Sequence, residues 1–241
     1  MSSVVATGIG VELVDAALAT VFDPELDEPI TDLGFVRGRR ADGVDVEVHL
    51  RLPTSFCAPN FAYLMASDAQ DALREIPGVG RVRVYLDDHH DSDLINRGLA
   101  AGVGYVGTFG HEAQDSLDEL RLTFQRKAHL AAMERACSKL LASSDLEVAD
   151  LHRVTLADLP DTREKAALLR RRAEIGLSTA PASPVMVDDA GVPVPEDAVP
   201  LKLRMAKTVR ISIDGNAHFC RGLLRTRYPD SSADQAPRAQ D

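Results

Sequence analysis

Cys57 is the side chain whose type and setting offer chemistry. It stands in the run Leu52-Pro53-Thr54-Ser55-Phe56-Cys57-Ala58-Pro59, between an alternating strand pattern and a helical one. Backbone N–H groups and the dipole at a helix N-terminus stabilise a thiolate, the form that binds soft metals or attacks sulfur. Thr54, three residues earlier, carries a hydroxyl suited to hydrogen-bonding that loop or capping the helix. The competing reading is a buried cysteine in an N-terminal turn. On the residues alone the two stand even.

Other reactive side chains read more blandly. Cys137 shares an apolar helical line with Met133 and Leu141, where a free cysteine behaves as a small hydrophobe. Cys220 neighbours Arg221 and lies two residues from His218, a setting that favours a thiolate, but packing is the favoured reading. His89 and His90 follow Asp87-Asp88 at a strand end. Adjacent residues of an extended segment face opposite sides, so a solvated loop is expected there rather than a metal site. Gly102, Gly104 and Gly107 formally match a dinucleotide fingerprint. That fingerprint needs a strand directly before it, and residues 96–101 do not read as one, so a flexible connection is expected. The chain has no GxxxxGK, GxSxG, CxxC, HExxH or Glu-x-x-His run. The last absence excludes a self-contained four-helix di-iron centre.

The elements that must position Cys57 follow from periodicity. Val11, Val14, Leu18 and Val21 have helical spacing, and Asp23-Pro24 closes that helix. An acidic loop, Asp23 to Asp32, leads to a strand near 33–40. After the Ala41-Asp42-Gly43 turn, Val44, Val46, Val48, Leu50 and Leu52 alternate with polar residues as a half-buried strand does. A helix from Pro59 to Glu75 and a strand from Arg81 to Leu86 complete an α-β-β-α-β order. Beyond a Gly-rich connection at 88–111, helices are expected over 112–142 and 161–175. Residues 181–200 hold five of the 13 prolines and read as a linker or extended excursion. Val209, Ile211 and Ile213 alternate with Thr208, Arg210 and Ser212 ahead of Asp214-Gly215, which suggests a closing hairpin.

The expected fold class is therefore α+β. A small α-β-β-α-β domain with a three-stranded sheet spans 1–90, followed by a mainly helical region with a short hairpin over 91–228. A disordered tail is expected at 229–241. Composition agrees with a globular chain: 45% of its 241 residues are hydrophobic and 27% charged. A net charge of −10 and only 5% aromatics argue against nucleic-acid binding. Three scattered cysteines, no run of 18 apolar residues and no basic leader point to a reducing cytoplasm without membrane association. Charge is uneven. Residues 1–90 carry 15 acidic and 7 basic side chains, whereas residues 200–228 set seven basic ones against Asp214 alone. That basic segment is expected to dock on an acidic surface, its own first domain or a client.

Asp23-Pro24-Glu25, the acidic stretch to Leu33-Gly34, LPTSFC and IPGVGRVRV occur in an order that resembles the metal–sulfur cluster assembly factor family. That small domain is found in iron–sulfur assembly systems and in the D-component of phenylacetyl-CoA epoxidation. The likeness covers roughly residues 8–90. It carries over at Asp23, Pro24, Glu25, Thr54 and Cys57; where the family often has Cys-Pro, this chain has Cys57-Ala58-Pro59. Residues 91–228 resemble the longer versions that accompany bacterial multicomponent di-iron monooxygenases. The resemblance implies a non-catalytic maturation factor that helps load or assemble an iron or iron–sulfur centre in a client metalloprotein, such as a monooxygenase component. It implies transient iron or cluster binding at Cys57 and Thr54, with Cys57, Asp23 and Glu25 as metal ligands. One soft and several hard ligands suit passing contact with iron, and a second copy in a homodimer or the client must supply the rest. Two other readings compete: a structural or regulatory subunit docking on an oxygenase without handling metal, and a thiol enzyme using Cys57 with His89 or His90 as base.

Overall fold

The structure is a computed structural model that describes residues 8–110 and 117–229. The chain divides into two compact units, Met1–Leu117 together with Asn216–Asp241, and Asp118–Gly215.

In the first unit, helix α1 (Val11–Leu18) is followed by two short antiparallel strands, β1 (Phe22–Asp23) and β2 (Glu28–Pro29), which fold the acidic loop back on itself. Strands β3 (Val36–Asp42) and β4 (Asp45–Arg51) form an antiparallel hairpin with a bulge between Val36 and Gly38. Its turn uses Gly43 at φ 61°, a left-handed conformation in which a β-carbon is strained. Helix α2 (Pro59–Arg74) then crosses over to β5 (Val82–Asp87), which pairs parallel to β4. Parallel neighbours require such a crossover. The sheet order is β3-β4-β5. On central β4, Val46, Val48 and Leu50 are buried, as their alternation requires. They meet Ala62, Ala66, Ala69 and Leu73 of α2 in one core.

This unit does not stop at residue 90. Where a flexible connection was expected, α3 (Ser92–Ala101) and α4 (Gly104–Phe109) fold instead. Ile95, Leu99 and Phe109 are buried in the sheet's core, and Tyr105 and Phe109 close a three-ring cluster on Tyr63. Asn96 bonds both backbone groups of Leu86, at 2.8 and 3.1 Å, so α3 also satisfies the free edge of β5. Gly102 ends α3 at φ 63° as a left-handed C-cap. The three glycines of the fingerprint thus serve two short helices, with no strand before them.

The second unit is mainly helical, built from α5 (Leu117–Ala142), α6 (Arg163–Glu174) and the first part of α7 (Val199–Arg227). Cys137 is fully buried there, its Sγ 3.7 Å from Met186 Sδ, and burial pushes its thiol up to about 12. The proline-rich stretch is an extended excursion held by bridges Thr155–Pro184 and Val187–Pro193, with Val185 and Met186 in the core.

The expected closing hairpin is not formed: residues 208–215 lie inside α7. A strand would bury Val209, Ile211 and Ile213 together, yet Ile211 is 54% exposed while Ala206, Ile213, Ala217 and Leu224 are buried, a helical period. The tail expected to be disordered lies almost wholly outside the described residues. No helix among the described residues is long and apolar enough to cross a membrane.

Candidate functional site

Three segments of the first unit build the site. The first is the loop between β4 and α2. Pro53 ends the strand pattern, and Pro59 at the first turn of α2 fixes where the helix begins. Cys57 stands just before that turn and is half-buried. Thr54 Oγ1 lies 3.4 Å from Cys57 Sγ and accepts the Phe56 N–H at 3.3 Å. Phe56 is 78% exposed, its ring 5.7 Å from that of His90.

The loop is fastened from the segment after β5. His89, buried, donates from Nε2 to the Cys57 carbonyl at 2.8 Å, and its Nδ1 accepts the Asp91 N–H at 3.1 Å. Those two bonds require the neutral Nε2–H tautomer and leave no ring nitrogen for proton transfer. His90 donates its backbone N–H to Ser55 at 2.9 Å. Where a solvated loop was expected, His89 is a buried loop anchor and His90 alone is exposed.

The second segment is the acidic loop. Asp23 is only 7% exposed, and its Oδ1 accepts the backbone N–H groups of Glu25 at 2.9 Å and Leu26 at 2.8 Å. Burial raises the carboxyl to about 6; those two bonds oppose the shift, and the charges of Glu25 and Glu28 add to it. Asp23 therefore organises its own turn.

The third segment is the C-terminal end of α7, from Asn216 on. Ala217 and Leu224 are buried in the core of the first unit, and Cys220 and Tyr228 pack against it. Asn216 Nδ2 donates to Glu25 Oε1 at 3.3 Å, and Arg221 pairs with Glu28. At the far end Arg227 donates to the carbonyls of Leu52 (3.0 Å) and Asp88, and the Tyr228 hydroxyl to Asp88 Oδ2 at 3.0 Å. Of the basic segment, Arg221 meets an acidic side chain of the first unit, Glu28, whereas Arg227 meets backbone carbonyls.

Cys220, half-buried on this helix, packs against the core of the first unit, the reading its sequence favoured. Its thiol is pushed up to about 11, first by burial, then by the nearby negative charges of Asp23, Cys57 and Glu25, with Arg221 opposing. Thr54 and Cys57 meet in the thiol loop, Asp23 and Glu25 lie in the acidic loop, and the charges of Asp23, Cys57 and Glu25 all reach Cys220. Among the described residues, no group of three or more His, Cys, Asp or Glu side chains is arranged to hold a metal ion.

The segment holding the first two of these loops has known relatives. Residues 12–84 match the family described as iron-sulfur cluster assembly protein. This stretch runs from α1 into β5 and includes Asp23, Glu25, Thr54 and Cys57. Cys220, α3, α4 and the whole second unit lie beyond it. A curated relative, the iron-sulfur cluster carrier protein of Mycobacterium leprae (strain TN), is 36% identical over 75 residues, 31% of this chain. The match spans only 19% of that protein's length. No solved structure matches the chain.

Proposed function

We propose that this chain is a non-catalytic iron–sulfur assembly factor that holds iron or a cluster transiently at Cys57 and passes it to a client metalloprotein. The observation that carries the reading is the Thr54–Cys57 hydroxyl–thiol pair at the mouth of the loop before α2, inside the matched segment. A thiol with one weak partner is free to exchange that partner for a soft metal. The absence of a preformed three-ligand group among the described residues suits a cargo that leaves again, its remaining positions filled by a client or a second copy. The bonds of His89 to the loop support a binding role over a thiol–imidazole catalytic pair. Asp23 and Glu25 serve by shaping the acidic loop beside the thiol and by adding negative potential that attracts a cation. The likeness of residues 91–228 to the companions of multicomponent di-iron monooxygenases supports a component of such an oxygenase as the client.

Anaerobic purification followed by iron and sulfide analysis, absorption spectroscopy and transfer to the metal-free client tests this. Wild type should carry or accept iron and load the client, and Cys57→Ser should fold but deliver none. A stable Cys57→Ser protein that still yields a fully loaded client overturns the proposal and leaves a docking subunit.

A further inference from the structure

We infer that Phe56 is the docking anchor of the thiol site, a ring that enters an apolar, basic-rimmed pocket on the client protein. The inference rests on the reading of Cys57 as a cargo thiol and adds the surface through which the cargo leaves.

Cargo passes only when client ligands reach a metal held at Cys57, so the surface around that thiol must itself meet the client. Residues 52–67 carry no charged side chain, and Phe56, Ala58 and Pro59 are exposed on either side of half-buried Cys57. Phe56 is the large member of this apolar patch, 78% exposed. A phenyl ring left in water adds nothing to folding. Its backbone is nevertheless held in place. Thr54 Oγ1 accepts the Phe56 N–H at 3.3 Å, Ser55 accepts the His90 N–H at 2.9 Å, and the Cys57 carbonyl accepts from His89 at 2.8 Å. The ring also rests beside that of His90, 5.7 Å away. A group fastened before its partner arrives loses little freedom on binding, which is the property of an anchor.

Charge selects the partner. The segment that fastens the loop, residues 87–93, contains four aspartates and no lysine or arginine. Arg37 lies 2.9 Å from Asp87 and 3.8 Å from Asp88, whereas Asp91 and Asp93 make no ion pair among the described residues. The patch is thus an apolar centre beside a negative border, the core-and-rim arrangement of protein interfaces. That border repels nucleic-acid phosphates and anionic lipid and attracts lysine and arginine. The occupant it fits is a protein face with an apolar pocket and a basic rim.

Calorimetric titration of the full-length, reduced protein into the metal-free di-iron component of a multicomponent monooxygenase, run beside iron loading of that component, tests this. Wild type should bind, and more weakly at high salt than at low. Phe56→Ala should keep the wild-type melting temperature and iron content, bind the component roughly tenfold or more weakly, and load it correspondingly slowly. Phe56→Leu should recover part of the loss, and Asp91→Asn with Asp93→Asn should flatten the salt dependence. A folded Phe56→Ala protein that binds and loads as wild type does overturns the inference. If Cys57→Ser then still delivers no iron, the cargo reading stands without this anchor. Wild type that holds iron through Cys57 yet forms no complex with the component likewise overturns the docking inference alone. If Phe56→Ala loses binding while Cys57→Ser still yields a loaded component, the maturation reading fails and the docking surface stands.

Discussion

A buried carboxylate is costly unless its lone pairs are occupied, and Asp23 occupies one oxygen with two backbone N–H groups of its own loop. Asp23→Asn keeps an acceptor there and removes the buried charge. Its melting temperature at neutral pH should be no lower than wild type, and cargo loading should persist. Asp23→Ala strands both N–H groups and should cost about 1–3 kcal/mol, with a partial loss of loading, measured by thermal unfolding and iron content. If Asp23→Asn instead loses cargo while staying as stable as wild type, the side chain is a metal ligand. Cys57→Ser should change stability by about 1 kcal/mol, since the half-buried side chain keeps nearly its volume and loses the weak Thr54 contact and some packing against the core. Thr54 beside Cys57 was legible because the two lie three residues apart, and Asp23 came from the family resemblance. The surroundings of Cys220 were not legible, because Asp23, Cys57 and Glu25 lie far away in the chain and no local spacing encodes such a meeting.

At the scale of elements, periodicity succeeded where one face is buried and the other wet. Residues 44–52 show this, with the alternation of β4 matching its burial. The same period at 208–213 misled, because helix α7 places Val209 and Ile213 one turn apart and leaves Ile211 in solvent. Asp214 and Gly215 looked like a turn, yet both sit mid-helix. Glycines misled again at 98–110. They looked like slack, but Gly98 is a point of close packing between α3 and α4, where a β-carbon would lie 2.0 Å from Thr108 Oγ1. Gly98→Ala should therefore destabilise the first unit by about 1–3 kcal/mol. Adding Thr108→Ala should recover much of that loss, as a double-mutant cycle on thermal unfolding would read. Additive losses would show that helix propensity, not this contact, sets the requirement for glycine.

At the scale of the whole molecule, the two units carry separate reporters of stability. All four tyrosines, Tyr63, Tyr85, Tyr105 and Tyr228, belong to the first unit, so tyrosine fluorescence follows that unit and far-ultraviolet circular dichroism follows both. The second unit buries an ionisable group with no use in the proposed site. His129 is 1% exposed, its Nε2 has no protein partner, and its pKa is lowered to about 4, first by burial and then by the Arg172 charge, with Lys202 adding and Asp189 opposing. Unfolded, it titrates near its ordinary value of 6.5. Between those values the unfolded chain binds the proton and the folded one does not, so the unit's stability is whole above about pH 6.5 and falls as the pH drops toward 4. The loss from pH 7 to pH 5 should be about 2 kcal/mol. Urea titrations at the two pH values should show it as an earlier dichroism transition without a matching shift in tyrosine fluorescence. His129→Leu removes the titration, so its dichroism transition should move less between the same pH values. An equal shift in wild type and His129→Leu would assign the acid sensitivity to other groups of the unit.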